Sequence, residues 1–225
     1  MLMDKYFYFP QFGIPTGAGV EIPTGVVTQF SYFEDFINAP AGSLSKVDTT
    51  TTGTLASATG ATVYTGEVTL TTAATPGSSF AKTLSTVQFQ AGKPASFVGR
   101  VKCAASTSYL VGLLPLTGDL FSSGFIGATF WISGTDVRYA VASAGTTLNT
   151  SNTTSTGITL TAGSYLNCAI AWDGVGQVMF FINGTRVASV ASTALIGVAM
   201  YPGFGIQNSA AQVISCDYLG ATALR

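Results

Sequence analysis

The segment Ala171–Val190, AWDGVGQVMFFINGTRVASV, constrains the fold more than any other part of the 225-residue chain. It consists of three mainly apolar runs separated by Asp173-Gly174 and Asn183-Gly184. Asp-Gly and Asn-Gly pairs readily adopt the positive φ angles that tight turns between antiparallel strands require. The segment therefore predicts a three-stranded meander, with Trp172 as a large core side chain just before the first turn.

Strand-like patterns continue along the chain from Thr83 onward. The stretches SFVGRVKCA, SYLVGLLPL, GATFWIS, DVRYAVAS and AQVISCDYLGAT have the length and apolar content of strands, and turn residues separate them. No segment carries a sustained helical periodicity with helix caps. The predicted fold class is therefore all-β, a two-sheet antiparallel β-sandwich.

Three segments receive their own interpretation. Residues 49–75 are rich in Thr, Ala and Gly, and fit either short exposed strands or a flexible loop. Residues 145–157 are polar and rich in Thr and Asn, which predicts a loop. QVMFFI, residues 177–182, is apolar on both faces, which predicts a central strand covered on both sides.

Residues 1–28 are predicted to form an extended N-terminal arm that precedes a sandwich over residues 29–225. Gly and Pro recur too often in GIPTGAGVEIPTG for a helix or a central strand. The aromatic side chains of the arm would pack along their own domain or reach a neighbouring subunit, and the second interpretation is favoured. The candidate partner-binding residues of the arm are Tyr6, Phe7, Tyr8, Phe9 and Phe12.

Charge is scarce in this chain. Charged residues make up 8% of it, whereas about 25% is typical of soluble domains. A surface so poor in charge favours contact with other protein, so we predict a homo-oligomer. The alternative is a sandwich coated in Ser, Thr and Gly. Lys and Arg are scattered singly, and the net charge is −1, so no nucleic-acid partner is expected.

The residue types that most catalytic sites need are missing or isolated. Histidine is absent, which removes the commonest general base and transition-metal ligand. No two acidic residues stand two positions apart within a predicted strand, the spacing that would place a carboxylate pair on one face. Asp119, Asp136 and Asp173 lie singly in turns and form no calcium-binding cluster. We therefore expect no enzymatic activity, no catalytic residues, no metal and no cofactor.

The cysteines, the hydrophobic runs and the N-terminal segment indicate in which cellular compartment the protein is expected. An odd number of widely spaced cysteines inside apolar patterns predicts buried thiols at Cys103, Cys168 and Cys216. The chain lacks an apolar run of about 18 residues, so no membrane span is expected. MLMDKYFYFP lacks the regions of a secretion signal, so we expect the protein to stay in the cytoplasm or to leave inside a larger particle.

The meander resembles the carboxy-terminal half of a concanavalin A-like domain in its laminin-G-like form, in which a W-D-G…F-x-I-N-G pattern recurs. Cys216-Asp217-Tyr218-Leu219 stands where such domains often carry an I-D-Y-V strand. Phe33-Glu34-Asp35-Phe36 resembles the first strand of phage-encoded members. The resemblance covers roughly Ser31–Thr222, and implies a jelly roll that serves as a structural protein of a bacteriophage virion.

On that resemblance, the expected function is capsid decoration: a cement protein that binds the major capsid protein in virions assembled in the host cytoplasm. The alternative is a carbohydrate-binding module of a phage tail or fibre. Its candidate glycan-stacking residues are Phe121, Phe125, Tyr201 and Phe204. The competing interpretation of these rings is that they pack into the core as loop caps. A lyase or hydrolase on the same scaffold is the third alternative.

Overall fold

A computed structural model describes residues 29–34, 44–48, 54–59, 64–72, 77–103, 108–115, 121, 124–208 and 211–224. Within these residues every regular element is a strand, and no helix is long and apolar enough to span a membrane. The strands are β1 (Gln29–Glu34), β2 (Leu44–Asp48), β3 (Thr54–Thr59), β4 (Tyr64–Thr71), β5 (Gly77–Thr83), β6 (Val87–Gln88), β7 (Ala95–Cys103), β8 (Ser108–Leu114), β9 (Phe125–Ser133), β10 (Asp136–Thr146), β11 (Thr154–Thr159), β12 (Tyr165–Trp172), β13 (Gln177–Ile182), β14 (Thr185–Ala191), β15 (Ala199–Asn208) and β16 (Val213–Leu224).

The strands form two antiparallel sheets. Sheet A has the order β14-β13-β12-β7-β16-β4-β3, and β1 also pairs with β16. Sheet B has the order β11-β10-β9-β8-β15-β5-β2, and β6 also pairs with β15. These sheets confirm the all-β, two-sheet antiparallel sandwich predicted from the sequence.

The main core lies between the sheets and takes side chains from both. Phe97 and Val101 of β7 are fully buried, as are Val111 of β8 and Phe130 of β9. Alternate residues of a strand point to one face, so each strand gives every second side chain to this core. Gly99 lies between Phe97 and Val101, and a Cβ there would stand 3.2 Å from the Val111 side chain. Glycine at this position therefore lets the two sheets approach closely.

The predicted meander is present as β12, β13 and β14. Asn183 has a φ of 50° and Gly184 a φ of 77°, the pair of positive angles that a type I′ turn requires. Trp172 is buried, and its Nε1 donates to the Gln90 carbonyl at 3.0 Å. Its ring stacks on Phe89 with 5.2 Å between centroids. Trp172 is therefore the core side chain that the sequence predicts.

The three segments that the sequence analysis interpreted separately differ in how well the structure agrees with the prediction. Residues 49–75 contain the strands β3 and β4, which confirms the predicted strands, but β4 is not exposed, because it lies inside sheet A with Val68 and Leu70 fully buried. The loop predicted over residues 145–157 is partly wrong, because β11 begins inside it and pairs with β10 at the edge of sheet B. The exposed, polar β11 lacks the apolar alternation by which strands are found in a sequence. Residues 177–182 form β13, which has strands on both sides and buries side chains on both faces, as predicted, although it lies one strand in from the edge of sheet A.

All three cysteines are buried free thiols, as predicted. Burial raises the pKa of Cys168 and of Cys216 above the ordinary thiol value. Because the thiolate is the reactive form, these side chains act as small apolar core groups.

Sheet B buries apolar side chains on its outer surface as well. Leu110 and Leu114 of β8 alternate with the core residues Val111 and Leu113, so they point away from sheet A. They belong to a separate buried cluster that we call the outer cluster of sheet B. Its members are Phe80, Leu110, Leu114, Phe121, Phe125, Trp131, Ala140, Ala142 and Leu148.

Candidate functional site

The structure contradicts the glycan-stacking role for three of the four aromatic candidates. Phe125 and Phe204 are fully buried, and Phe121 has 4% of its surface exposed. Phe121 and Phe125 belong to the outer cluster of sheet B, and Phe204 belongs to the main core. A sugar ring needs an open aromatic face, so these three rings are core side chains, in agreement with the competing interpretation.

Tyr201, the fourth candidate, is half-buried on the outer face of sheet B. The Lys82 ammonium lies 4.7 Å from the centroid of its ring, and burial lowers the pKa of that ammonium. A role for Tyr201 in stacking stays a prediction. The partner-binding candidates of the arm lie outside the described residues, namely Tyr6, Phe7, Tyr8, Phe9 and Phe12.

Five polar side chains meet on the outer face of sheet A, which sequence analysis did not single out. They come from the neighbouring strands β4, β16, β7 and β12. We call this group the charge cluster; it consists of Glu67, Arg100, Lys102, Tyr165 and Asp217. In a chain with so little charge, four charged side chains on one patch make it the strongest candidate site in the described part of the protein.

Strand register brings these residues together. Arg100 and Lys102 alternate along β7 with core residues and therefore point outward. Tyr165 of β12 pairs directly with Lys102. The pairing of β16 with β7 shifts between Cys216 and Tyr218, which leaves Asp217 as an extra residue whose carboxylate meets Arg100.

Two ion pairs and a tyrosine hydroxyl form the polar contacts of the cluster. Lys102 Nζ donates to Glu67 Oε1 at 2.7 Å and to the Tyr165 hydroxyl oxygen at 2.8 Å. The Tyr165 hydroxyl in turn donates to the Glu67 carboxylate. Arg100 Nη1 donates to Asp217 Oδ2 at 2.6 Å. Each cation thus has its own carboxylate.

The ring of Tyr165 holds the two cations in place. Arg100 Cζ lies 3.9 Å from the ring centroid, and Lys102 Nζ lies 4.5 Å from it. Arg100 Nε is buried and has no hydrogen-bond partner among the described residues. The guanidinium is therefore fixed by its aromatic and carboxylate neighbours, which favours one orientation.

The cluster is open to a ligand. The side chains of Arg100, Lys102, Asp217 and Glu67 are 37%, 31%, 25% and 18% exposed. The ion pairs are half-buried, so part of each charged side chain is accessible to solvent and to a ligand. Within the described part of the chain, Arg100 Nη2, Glu67 Oε2 and Asp217 Oδ1 make no hydrogen bond.

An apolar patch adjoins the charge cluster on the same outer face. Val98, Ala169 and Phe181 are buried there, and Met179 and Tyr218 pack against them half-buried. Burial, together with nearby charges, raises the pKa of the Tyr218 phenol, so this group stays neutral. Because the three central side chains are buried, it is the half-buried Met179 and Tyr218 that offer apolar surface beside the polar groups, and that combination is usual in a small-ligand site.

The sequence contains only a weak signal for this site. Alternation in SFVGRVKCA places Arg100 and Lys102 on the face opposite the core. Their partners lie between 35 and 117 residues away along the chain, so only the folded register reveals the cluster. Among the described residues, no group of three or more His, Cys, Asp or Glu side chains could hold a metal ion.

Known structures share this fold, although comparisons with protein-family models and with curated proteins found no match. The carbohydrate recognition domain of Emp47p matches with a TM-score of 0.60 and 7% identity, over 85% of this chain and 94% of that one. Arcelin-5, a lectin-like defense protein from Phaseolus vulgaris, matches with a TM-score of 0.55 and 10% identity, over 88% and 100%.

An enzyme is among the matches as well. The endo-beta-1,4-glucuronan lyase of the fungus Trichoderma reesei matches with a TM-score of 0.53 and 11% identity, over 84% of this chain and 94% of that one. None of these comparisons points to a virion protein. At such low identities they establish the fold and no activity. The chain therefore has the jelly-roll fold of concanavalin A and the legume lectins.

Proposed function

We propose that this protein binds carbohydrate without changing it chemically, and that the charge cluster is the centre of the binding site. The observation that carries the proposal is the meeting of two half-buried ion pairs and a tyrosine, beside the half-buried Met179 and Tyr218, on the outer face of a lectin-like jelly roll. Capsid decoration, the first expectation from the sequence, has no support among the comparisons, so its alternative takes precedence.

The chemistry of sugars matches this face. A sugar presents hydroxyl groups, which both donate and accept hydrogen bonds, beside apolar C–H surfaces. Arg100 and Lys102 supply donors, while Glu67 and Asp217 supply acceptors, and hydrogen bonds to charged groups are stronger than neutral ones. Because the cluster stands on paired strands, its geometry exists before a ligand arrives and little ordering is needed on binding.

A binding role fits the residue types better than catalysis does. The chain has no histidine, and both carboxylates of the cluster are held by cations. Since a lyase shares the fold, catalysis is tested by incubating the protein with neutral and acidic polysaccharides. New reducing ends would indicate hydrolysis, and unsaturated products would indicate lyase activity. Turnover that is lost on Tyr165→Phe would replace the binding role with an enzymatic one.

A glycan array followed by calorimetry tests the proposal. We expect the folded protein to bind at least one glycan class, and Asp217→Ala to weaken that binding about tenfold or more, as loss of a charged hydrogen-bonding group does. Asp136→Ala is the matched control, because it also breaks an Arg–Asp pair of 2.6 Å, on the other sheet. Absence of any glycan ligand, or equal losses in the two folded variants, contradicts the proposal.

A further inference from the structure

We infer that the charge cluster selects neutral sugars with adjacent hydroxyl groups over acidic sugars, an inference that rests on the proposed function. Its basis is the charge balance of the cluster. Arg100 is matched by Asp217 and Lys102 by Glu67, at 2.6 and 2.7 Å, so the formal charge of the group is zero.

An acidic sugar gains little from such a balanced group. Its carboxylate would have to approach Arg100 or Lys102, and each of these already shares its charge with a protein carboxylate at hydrogen-bond distance. The incoming anion would then lie close to Glu67 or Asp217 as well, and like charges brought together oppose binding. The cations of the cluster are therefore poor anion receptors despite their exposure.

A neutral diol finds complementary partners. Arg100 Nη2 is a donor that makes no hydrogen bond to the described residues. Glu67 Oε2 and Asp217 Oδ1 are acceptors that likewise receive no hydrogen bond from them. One hydroxyl can accept from the guanidinium while its neighbour donates to a carboxylate. This alternation of donor and acceptor is the pattern that two adjacent hydroxyls present.

The position of Arg100 reinforces this selection. Its guanidinium stacks on Tyr165 and its Nε is buried, so the group is not free to turn away from Asp217 toward a ligand anion. A fixed guanidinium holds the N–H groups of its Nη2 in one orientation. These groups recognise a hydroxyl by the geometry of the hydrogen bond rather than by net charge.

The experiment compares each neutral oligosaccharide that binds with the form whose C6 hydroxymethyl group has been oxidised to a carboxylate. For the wild-type protein we expect the neutral form to bind about tenfold or more tightly, with little dependence on salt. The double variant Glu67→Gln/Asp217→Asn keeps the shapes of both side chains but removes their negative charges, so the cations Arg100 and Lys102 are no longer balanced. We expect this double variant to lose the preference and to bind the oxidised sugar in a salt-sensitive way.

The outcomes separate the two proposals. If the wild type binds the oxidised sugar as tightly as the neutral one, or more tightly, this inference is wrong while the carbohydrate-binding role stands. If no glycan binds to the protein, both proposals fail. If the double variant keeps the wild-type selectivity, charge balance is not the cause and the inference is overturned. Asp217→Asn alone provides a milder test if the double variant does not fold, and Asp136→Asn serves as the control outside the site.

Discussion

The two tryptophans show how the surroundings of a residue decide its contribution to stability. Trp172 and Trp131 are both buried. Trp172 Nε1 donates to the Gln90 carbonyl, whereas Trp131 Nε1 has no hydrogen-bond partner among the described residues. A buried donor without a partner costs about 1–3 kcal/mol relative to one that is satisfied. The indole N–H of Trp172 therefore raises the free energy of unfolding, whereas that of Trp131 lowers it.

This difference predicts the effect of replacing each tryptophan by phenylalanine. Both variants lose ring area, but Trp172→Phe also removes a hydrogen bond, and the Gln90 carbonyl is then left with the Lys93 N–H as its donor at 3.2 Å. Trp131→Phe removes only an unsatisfied donor. We expect Trp172→Phe to lower the free energy of unfolding by about 1–2 kcal/mol more than Trp131→Phe does. Urea denaturation followed by circular dichroism measures both, and equal losses, or the reverse order, would show that the indole N–H groups do not matter.

At the scale of the element, the turn between β12 and β13 is organised by one carboxylate. Asp173 Oδ1 accepts the backbone N–H groups of Val175, Gly176 and Gln177 at 2.7, 2.8 and 3.0 Å. Burial opposes the ionisation of Asp173, but these three backbone donors outweigh burial and hold its pKa below the ordinary value. The charged form is therefore the one that closes the turn.

This lowered pKa predicts an acid-dependent contribution to stability. Because the pKa is lower in the folded than in the unfolded state, Asp173 stabilises the fold above the ordinary aspartate pKa of about 4, and the benefit disappears as the pH falls through the folded value. Asp173→Asn keeps an acceptor oxygen but does not titrate there. We expect the variant to be less stable than wild type at neutral pH and the difference to shrink in acid. Thermal melts across the acid range measure this, and a constant difference would contradict it.

The elements differ in how well the sequence predicts them. The Asn183-Gly184 turn is local, because two residue types at adjacent positions determine its angles. The connection that begins at Asp173-Gly174 is also local, but there only Gly174 has a positive φ and the Asp173 carboxylate closes a longer turn. The edge strand β11 was missed because its contacts with β10 do not require an apolar pattern. The charge cluster depends on the register of β7 against β12 and β16, and on the extra residue at Asp217, so it could not be found from any one strand.

At the scale of the whole molecule, the shortage of charge has a partial explanation. Sheet B covers its outer surface with its own buried apolar cluster, so low charge there does not mean an open apolar face. Among the residues whose side-chain burial is described, the exposed large hydrophobic side chains are those of Leu84, Val175, Ile196 and Val213. We therefore predict that the homo-oligomer expected from composition forms through the aromatic residues of the arm.

This dependence predicts the result of removing the arm. We expect the full chain to sediment as an oligomer and the chain without residues 1–28 to sediment as a monomer, because scattered apolar side chains do not form a stable interface. Analytical ultracentrifugation at several concentrations measures both. An oligomer of unchanged size after the deletion would assign the interface to the sandwich, and a monomeric full chain would overturn the prediction from composition.

The place of β16 in sheet A has a consequence for biosynthesis. This strand lies between β7 and β4, so sheet A consists of two unjoined halves until residues 213–224 have left the ribosome. Arg100, the ion-pair partner of Asp217 in β16, is synthesised 117 residues before Asp217. Pairing over such a separation is slow, and unpaired strand edges invite aggregation in the meantime. We therefore expect the nascent chain to be most prone to aggregation before residues 213–224 pair with their neighbours.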